Sequence, residues 1–118
     1  MPRDEKLFSY EIKNSNLEIK LDGEIDHHSA INVRSDIDEL IFEIRPKKLI
    51  LDLSSISFMD SSGLGLIMGR YSLIKEFGGT LLLRSPTVAV MKILSLAGME
   101  KMIKIEASNK EGGQNEEK

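Results

Sequence analysis

Leu49-Ile50-Leu51-Asp52-Leu53 is a short, almost unbroken apolar run in the middle of the chain. Strands covered on both faces read this way, and such strands are usually central and parallel. A polar loop is expected next, from Ser54 to Asp60, interrupted by Ile56, Phe58 and Met59. Then the period changes. Leu64, Ile67, Met68, Tyr71 and Ile74 form one apolar stripe, which predicts a helix over Ser62–Phe77. Gly65, Gly69 and Leu73 follow a neighbouring stripe. Glycine inside a helix costs about 1 kcal/mol against alanine, so this face is expected to lie close against a sheet. Gly78-Gly79 ends the helix, and Thr80-Leu81-Leu82-Leu83 reads as a second buried strand.

The flanks extend this strand–helix–strand unit in both directions. Upstream, Phe8–Ile12 and Leu17–Leu21 alternate apolar and polar residues around Asn14-Ser15-Asn16, the pattern of a hairpin. Gly23 is expected to end the second strand. Val33, Ile37, Leu40, Ile41 and Ile44 then recur at helical spacing, and Pro46 stops that helix. Downstream, Ser85-Pro86 suits an N-cap followed by proline at the first helical position. Val88, Met91, Leu94 and Ser95 would form the buried stripe, with Gly98 as the C-terminal stop. Met102–Glu106 alternates as an edge strand does. The resulting order, ββαβαβαβ, predicts an α/β fold: a small mixed sheet with packed helices. Residues 1–106 form one domain. Residues 107–118 lack apolar anchors and read as a flexible polar tail.

Composition narrows the function. The 118 residues carry a net charge of −3 and no cysteine. Disulfides, thiolate catalysis and Cys-ligated metal sites are therefore excluded. His27 and His28 are the only histidines, too few for a multi-histidine zinc site. Neither half of the chain is basic enough for a nucleic-acid footprint. No apolar run approaches a membrane span, and the polar start Met1–Lys6 is unlike a signal peptide. The expected compartment is the cytoplasm, with no membrane, nucleic acid or cofactor involved. A monomer is the default state.

The chemistry concentrates in Phe58-Met59-Asp60-Ser61-Ser62-Gly63-Leu64-Gly65, which joins a buried strand to a helix start. Asp60, Ser61 and Ser62 sit where free N–H groups favour negative charge. They can act simply as helix caps. Alternatively, a phosphate on Ser61 would find N–H partners there. A nucleotide loop is a third reading, but Gly63, Gly65 and Gly69 space as G-x-G-x-x-x-G, and no phosphate-binding G-x-x-x-x-G-K-[ST] is present. A small serine hydrolase would pair Ser61 or Ser62 with His27 or His28 and Asp26 or Asp60. It would do so without the G-x-S-x-G elbow. Phe58 and Met59 are expected to pack beneath the loop. Asp22, Glu24 and Asp26 read as a solvated strand end; as an interface they would call for a basic partner. Arg70 and Tyr71 read as structural.

Two segments together carry a family resemblance. Gly23-Glu24-Ile25-Asp26-His27-His28-Ser29-Ala30 and Phe58–Gly65 resemble the signature segments of the anti-sigma factor antagonists, which are STAS-domain proteins. Ile67-Met68-Gly69-Arg70-Tyr71 resembles the sporulation branch. The likeness runs from Ser9 to Glu106 and includes Ser85-Pro86 and Leu96-Ala97-Gly98. It implies a non-enzymatic protein that binds an anti-sigma factor which is also a serine kinase, so freeing a sigma factor. It implies phosphorylation on Ser61, with Asp60, Ser62, Gly63 and Leu64 around the acceptor and Asp26 in a neighbouring partner-facing loop. A serine phosphatase would reset the switch. An antagonist of a stress-response anti-sigma factor is the alternative within the family. Family members also continue into an amphipathic C-terminal helix, for which Ala107–Lys118 lacks the apolar positions.

Overall fold

A computed structural model describes residues 8–107. The elements follow the expected order: β1 (Phe8–Lys13), β2 (Asn16–Ile25), α1 (His27–Ile44), β3 (Lys48–Met59), α2 (Ser61–Glu76), β4 (Thr80–Arg84), α3 (Val88–Leu96) and β5 (Lys104–Glu106). A single 3-10 turn, Met99–Lys101, precedes β5. The expected tail lies, apart from Ala107, outside the described residues.

The five strands lie side by side in chain order. The β1–β2 hairpin is antiparallel, and β2 through β5 pair in parallel. Right-handed crossovers between neighbouring strands put every helix on the same face of the sheet. The core agrees. Leu17, Ile19 and Leu21 of β2, Leu49, Leu51 and Leu53 of β3, and Leu81 and Leu83 of β4 form one cluster. Val33, Ile37 and Ile41 of α1, Ile67 and Ile74 of α2, and Val90 and Leu94 of α3 complete it. On the opposite face Ile50 and Leu82 are buried amid charged neighbours. There Lys13 lies 3.9 Å from both Glu11 and Glu18, and Arg84 lies 3.4 Å from both Glu18 and Glu106. Such exposed pairs contribute little stability.

Four expectations change. First, Ser54–Asp60 is not a loop: β3 runs on to Met59 beside β2, which runs through Gly23 to Ile25. Leu53, Ile56 and Met59 are buried at a spacing of three, and the β2–β3 register shifts twice between Lys20 and Glu24. Bulges of this kind leave extra residues outside, which breaks the period-two signal. Gly23, at φ 80°, sits at one of these shifts.

Second, Gly65 and Gly69 do not face the sheet; a Cβ on either would meet open space. The inward stripe of α2 is Gly63, Leu66, Ile67, Arg70 and Ile74. Third, α3 is capped by Thr87, whose hydroxyl accepts from Val90 N–H at 3.2 Å. Ser85 instead takes a left-handed φ of 53° and donates its N–H to Glu106 O. Fourth, the later start rotates the α3 stripe onto Val90 and Leu94, leaving Val88 87% exposed.

Candidate functional site

The C-terminal ends of β2 and β3 lie side by side, because Ile25 pairs with Met59. Each strand is followed at once by an aspartate and a helix. Asp26 caps α1 and Asp60 caps α2. The Asp60 N–H donates to Ile25 O at 3.3 Å and ties the two junctions together. Two aspartates and two helix N-termini therefore share one end of the sheet, the end where open α/β folds tend to bind.

Asp26 is fully engaged. Its carboxylate accepts from Ser29 N–H at 3.0 Å, and its own N–H donates to Ser29 Oγ at 2.9 Å. The Ser29 hydroxyl also lies 2.8 Å from Glu24 O and 3.1 Å from the Asp26 carboxylate. This is a reciprocal capping box. The bonds to Ser29, chiefly that from its backbone, hold the Asp26 carboxyl below its ordinary value, and His28 adds a smaller pull in the same direction.

Asp60 is engaged on one side only. Its carboxylate accepts from Ser62 N–H at 2.8 Å, and its carbonyl accepts from Gly63 N–H at 2.9 Å. Ser61 occupies the first helical position and is exposed. Among the described residues its backbone N–H has no partner, and no hydrogen bond joins Ser61 or Ser62 to His27 or His28. Ser62 and Leu64 are half-buried, and Leu64 leans on the core. Gly63 is buried because a Cβ there would run into the Met59 side chain and lie 3.5 Å from Ile25 Cγ2. The start of α2 thus presses on the ends of both strands, and any larger residue would have to displace the Met59 side chain.

Sequence reasoning missed two features here. Met59 is buried as expected, but Phe58 is 50% exposed and opposite Glu24. The bulged end of β3 turns it outward. The exposed surface behind Ser61 also carries Gly65, so this part of α2 presents bare backbone. Both signals were present as residue types but had the wrong phase. Further along, Arg70 is buried and its Nε lies 2.9 Å from Asp38 Oδ1 of α1, without the alignment of a hydrogen bond. Arg70 Nη1 donates to Leu66 O at 3.2 Å. Burial pulls the guanidinium below its ordinary range, with Asp38 opposing and Arg34 adding to the pull. This pair fastens α2 to α1 behind the junctions. Among the described residues no group of three or more His, Asp or Glu side chains could hold a metal ion. No helix there is long and apolar enough to cross a membrane.

The family model for the STAS domain matches residues 8–112. An anti-sigma F factor antagonist from Paenibacillus polymyxa is 39% identical over 87 residues, 74% of each chain. An anti-sigma-B factor antagonist from Bacillus subtilis is 30% identical over 99 residues, 84% of this chain and 88% of that one. Among solved structures, the anti-sigma factor antagonist SpoIIAA in its unphosphorylated form superposes with a TM-score of 0.74 at 31% identity, covering 86% of this chain and 89% of that one. The phosphorylated form of the Bacillus cell fate determinant SpoIIAA superposes with a TM-score of 0.68 at 30% identity, covering 86% and 92%.

Proposed function

The chain belongs to the STAS domain family as an anti-sigma factor antagonist, and we propose that it is a binding module switched by phosphorylation of Ser61. Its partner is an anti-sigma factor that is also a serine kinase, and the compartment is the cytoplasm. Binding withdraws that factor from its sigma factor. The kinase then transfers the γ-phosphoryl group of ATP to Ser61 Oγ, forming an O–P bond and releasing ADP and the hydroxyl proton. A serine phosphatase hydrolyses the ester and restores the binding form. The role is regulatory, and the chain supplies no catalytic residue.

One observation carries the site assignment. Ser61 is the exposed first residue of α2, with an unpartnered N–H, directly after Asp60, which caps this helix beside the one that Asp26 caps. A phosphate there adds about −1.5 to −2 charge beside Asp60 and near Asp26. The α2 terminus tolerates that charge, because N–H groups and the helix dipole favour anions. A docked partner that complements the acidic surface does not tolerate it. Phosphorylation therefore acts at the interface and leaves the fold intact. Asp26, Asp60, Ser62, Gly63 and Leu64 make up the contact region, with exposed Phe58 as its apolar anchor and Gly65 letting the partner approach the helix closely. The greater likeness to the anti-sigma F antagonist favours the sporulation branch, and the match to an anti-sigma-B antagonist supports the stress-response reading as second.

Intact-mass analysis after incubation with ATP and an anti-sigma F kinase tests the switch. One added phosphate mapping to Ser61, absent from Ser61→Ala, is the expected result. Ser61→Ala should still bind the kinase but never be released, whereas the phosphoprotein should bind weakly while keeping its far-UV CD spectrum. A phosphate on Ser62 would move the acceptor by one residue. A phosphoprotein that unfolds would replace the interface mechanism with a folding one.

A further inference from the structure

The hairpin strand β1 ends the sheet, and among the described residues its outer edge has no strand partner. Of the usual protections of an edge it has only charge, Glu11 and Lys13, on the face away from Tyr10 and Ile12. All six residues pair with β2 without a register shift, and the strand holds no proline or bulge. The opposite edge, β5, is only three residues long and carries Lys104 and Glu106. Tyr10 and Ile12 of β1 are each 51% exposed, on the helix-bearing face where the core runs out. A regular, unpaired edge with one apolar face is a template for another strand.

We propose that β1 pairs antiparallel with β1 of a second copy, joining two sheets across a two-fold axis at Tyr10. The backbone supports this. Lys13 and Asn16 close the turn at Asn14-Ser15, so alternation points the N–H and C=O groups of Phe8, Tyr10 and Ile12 outward. An axis through any residue of β1 keeps the apolar face continuous, but at Phe8, Ser9 or Lys13 no more than three residues of the strand overlap. An axis at Glu11 sets that carboxylate against its own copy. An axis at Ile12 pairs Glu11 with Lys13 of the second copy, but the chain turns away at Asn14, where φ is 58°, and the overlap shrinks to three residues. An axis at Tyr10 overlaps the whole of Phe8–Ile12. It sets Tyr10 against Tyr10, Ile12 against Phe8 and Ser9 against Glu11, with no like charges opposed. A contact of one short strand falls below the roughly 1,200 Å² of stable interfaces. The dimer is therefore weak and forms only at high concentration, and the monomer expected from the sequence is the dilute form.

Sedimentation equilibrium from about 10 μM to about 1 mM tests this. The wild type should self-associate. Tyr10→Lys and Tyr10→Asp each oppose their own charge across the axis and should be monomeric, while an equimolar mixture of the two should associate again. Tyr10 is exposed enough for both variants to keep wild-type CD spectra. Ser9→Lys provides an independent reading: it should tighten the wild-type dimer severalfold by facing Glu11, whereas an axis at Glu11 would oppose it to Lys13. A wild type that stays monomeric to the top of the range overturns the proposal. So does a dimer indifferent to both Tyr10 variants, or a mixture that fails to associate.

Discussion

The two strand-to-helix junctions share a plan and part at the third position of the helix. In both, a strand ends on a buried apolar residue, an aspartate caps the next helix, and the helix begins at once. The third helical position decides the rest. In α1 it is Ser29, which closes a reciprocal box with Asp26. In α2 it is Gly63, which has no side chain to accept from the Asp60 N–H and lets the helix press onto Met59. The first junction is thus a closed cap, with its polar groups paired among themselves. The second, open in that it lacks the return bond, carries an exposed serine hydroxyl at its head. The closed junction supplies a fixed negative charge, and the open one supplies a place where charge can be added.

Exchanging the third residues should break this division, and the larger effect belongs to the open junction. Gly63→Ser forces a side chain into the space of Met59 and Ile25. Overpacking of this kind should cost about 1–3 kcal/mol, measured by urea unfolding. At the closed junction, truncating the third residue by Ser29→Ala removes the bond from Asp26 N–H and the contact with Glu24 O. It should cost about 1 kcal/mol. Asp60→Ala, which loses one cap bond to Ser62 N–H, should cost about 1 kcal/mol or less. If Gly63→Ser proved neutral, the close approach of α2 would not be what reserves that position for glycine.

The same contrast shows what the sequence could disclose. Element order, the hairpin, the parallel unit around Leu49–Leu53 and the cap at the start of α2 were all legible, because each rests on a local period or a cap. The inward face of α2 was not. Gly65 and Gly69 drew attention as costly residues, yet the glycine pressed into the sheet is Gly63, at the helix start. Its reason is tertiary, a methionine side chain from the preceding strand. The bulged end of β3 was hidden for a related cause. Buried Leu53, Ile56 and Met59 recur every third residue, so neither strand nor helix periodicity registers. Phe58 therefore reads as buried from the sequence, whereas it is half exposed opposite Glu24. Buried Arg70 gives no signal in its own segment, since its partner Asp38 lies on another helix.

Acid gives the finest test of the closed junction. Bonding to Ser29 lowers the folded-state pKa of Asp26 below its ordinary 3.8. The folded protein therefore binds this proton less readily than the unfolded chain does. The stabilisation is fully present above the unfolded value and is lost as pH falls through the lower, folded one. Asp26→Asn retains an oxygen for the Ser29 N–H but cannot titrate. The difference in Tm between wild type and Asp26→Asn should be constant at mildly acidic pH and should shrink steadily below pH 3.8. In a Ser29→Ala background part of that shrinkage should disappear, because the side-chain bond is the second-largest cause of the shift. His28→Gln should change it least, since the imidazole contributes least. A pH profile that ignored Ser29 but followed His28 would make the first junction a charge pair rather than a hydrogen-bonded cap.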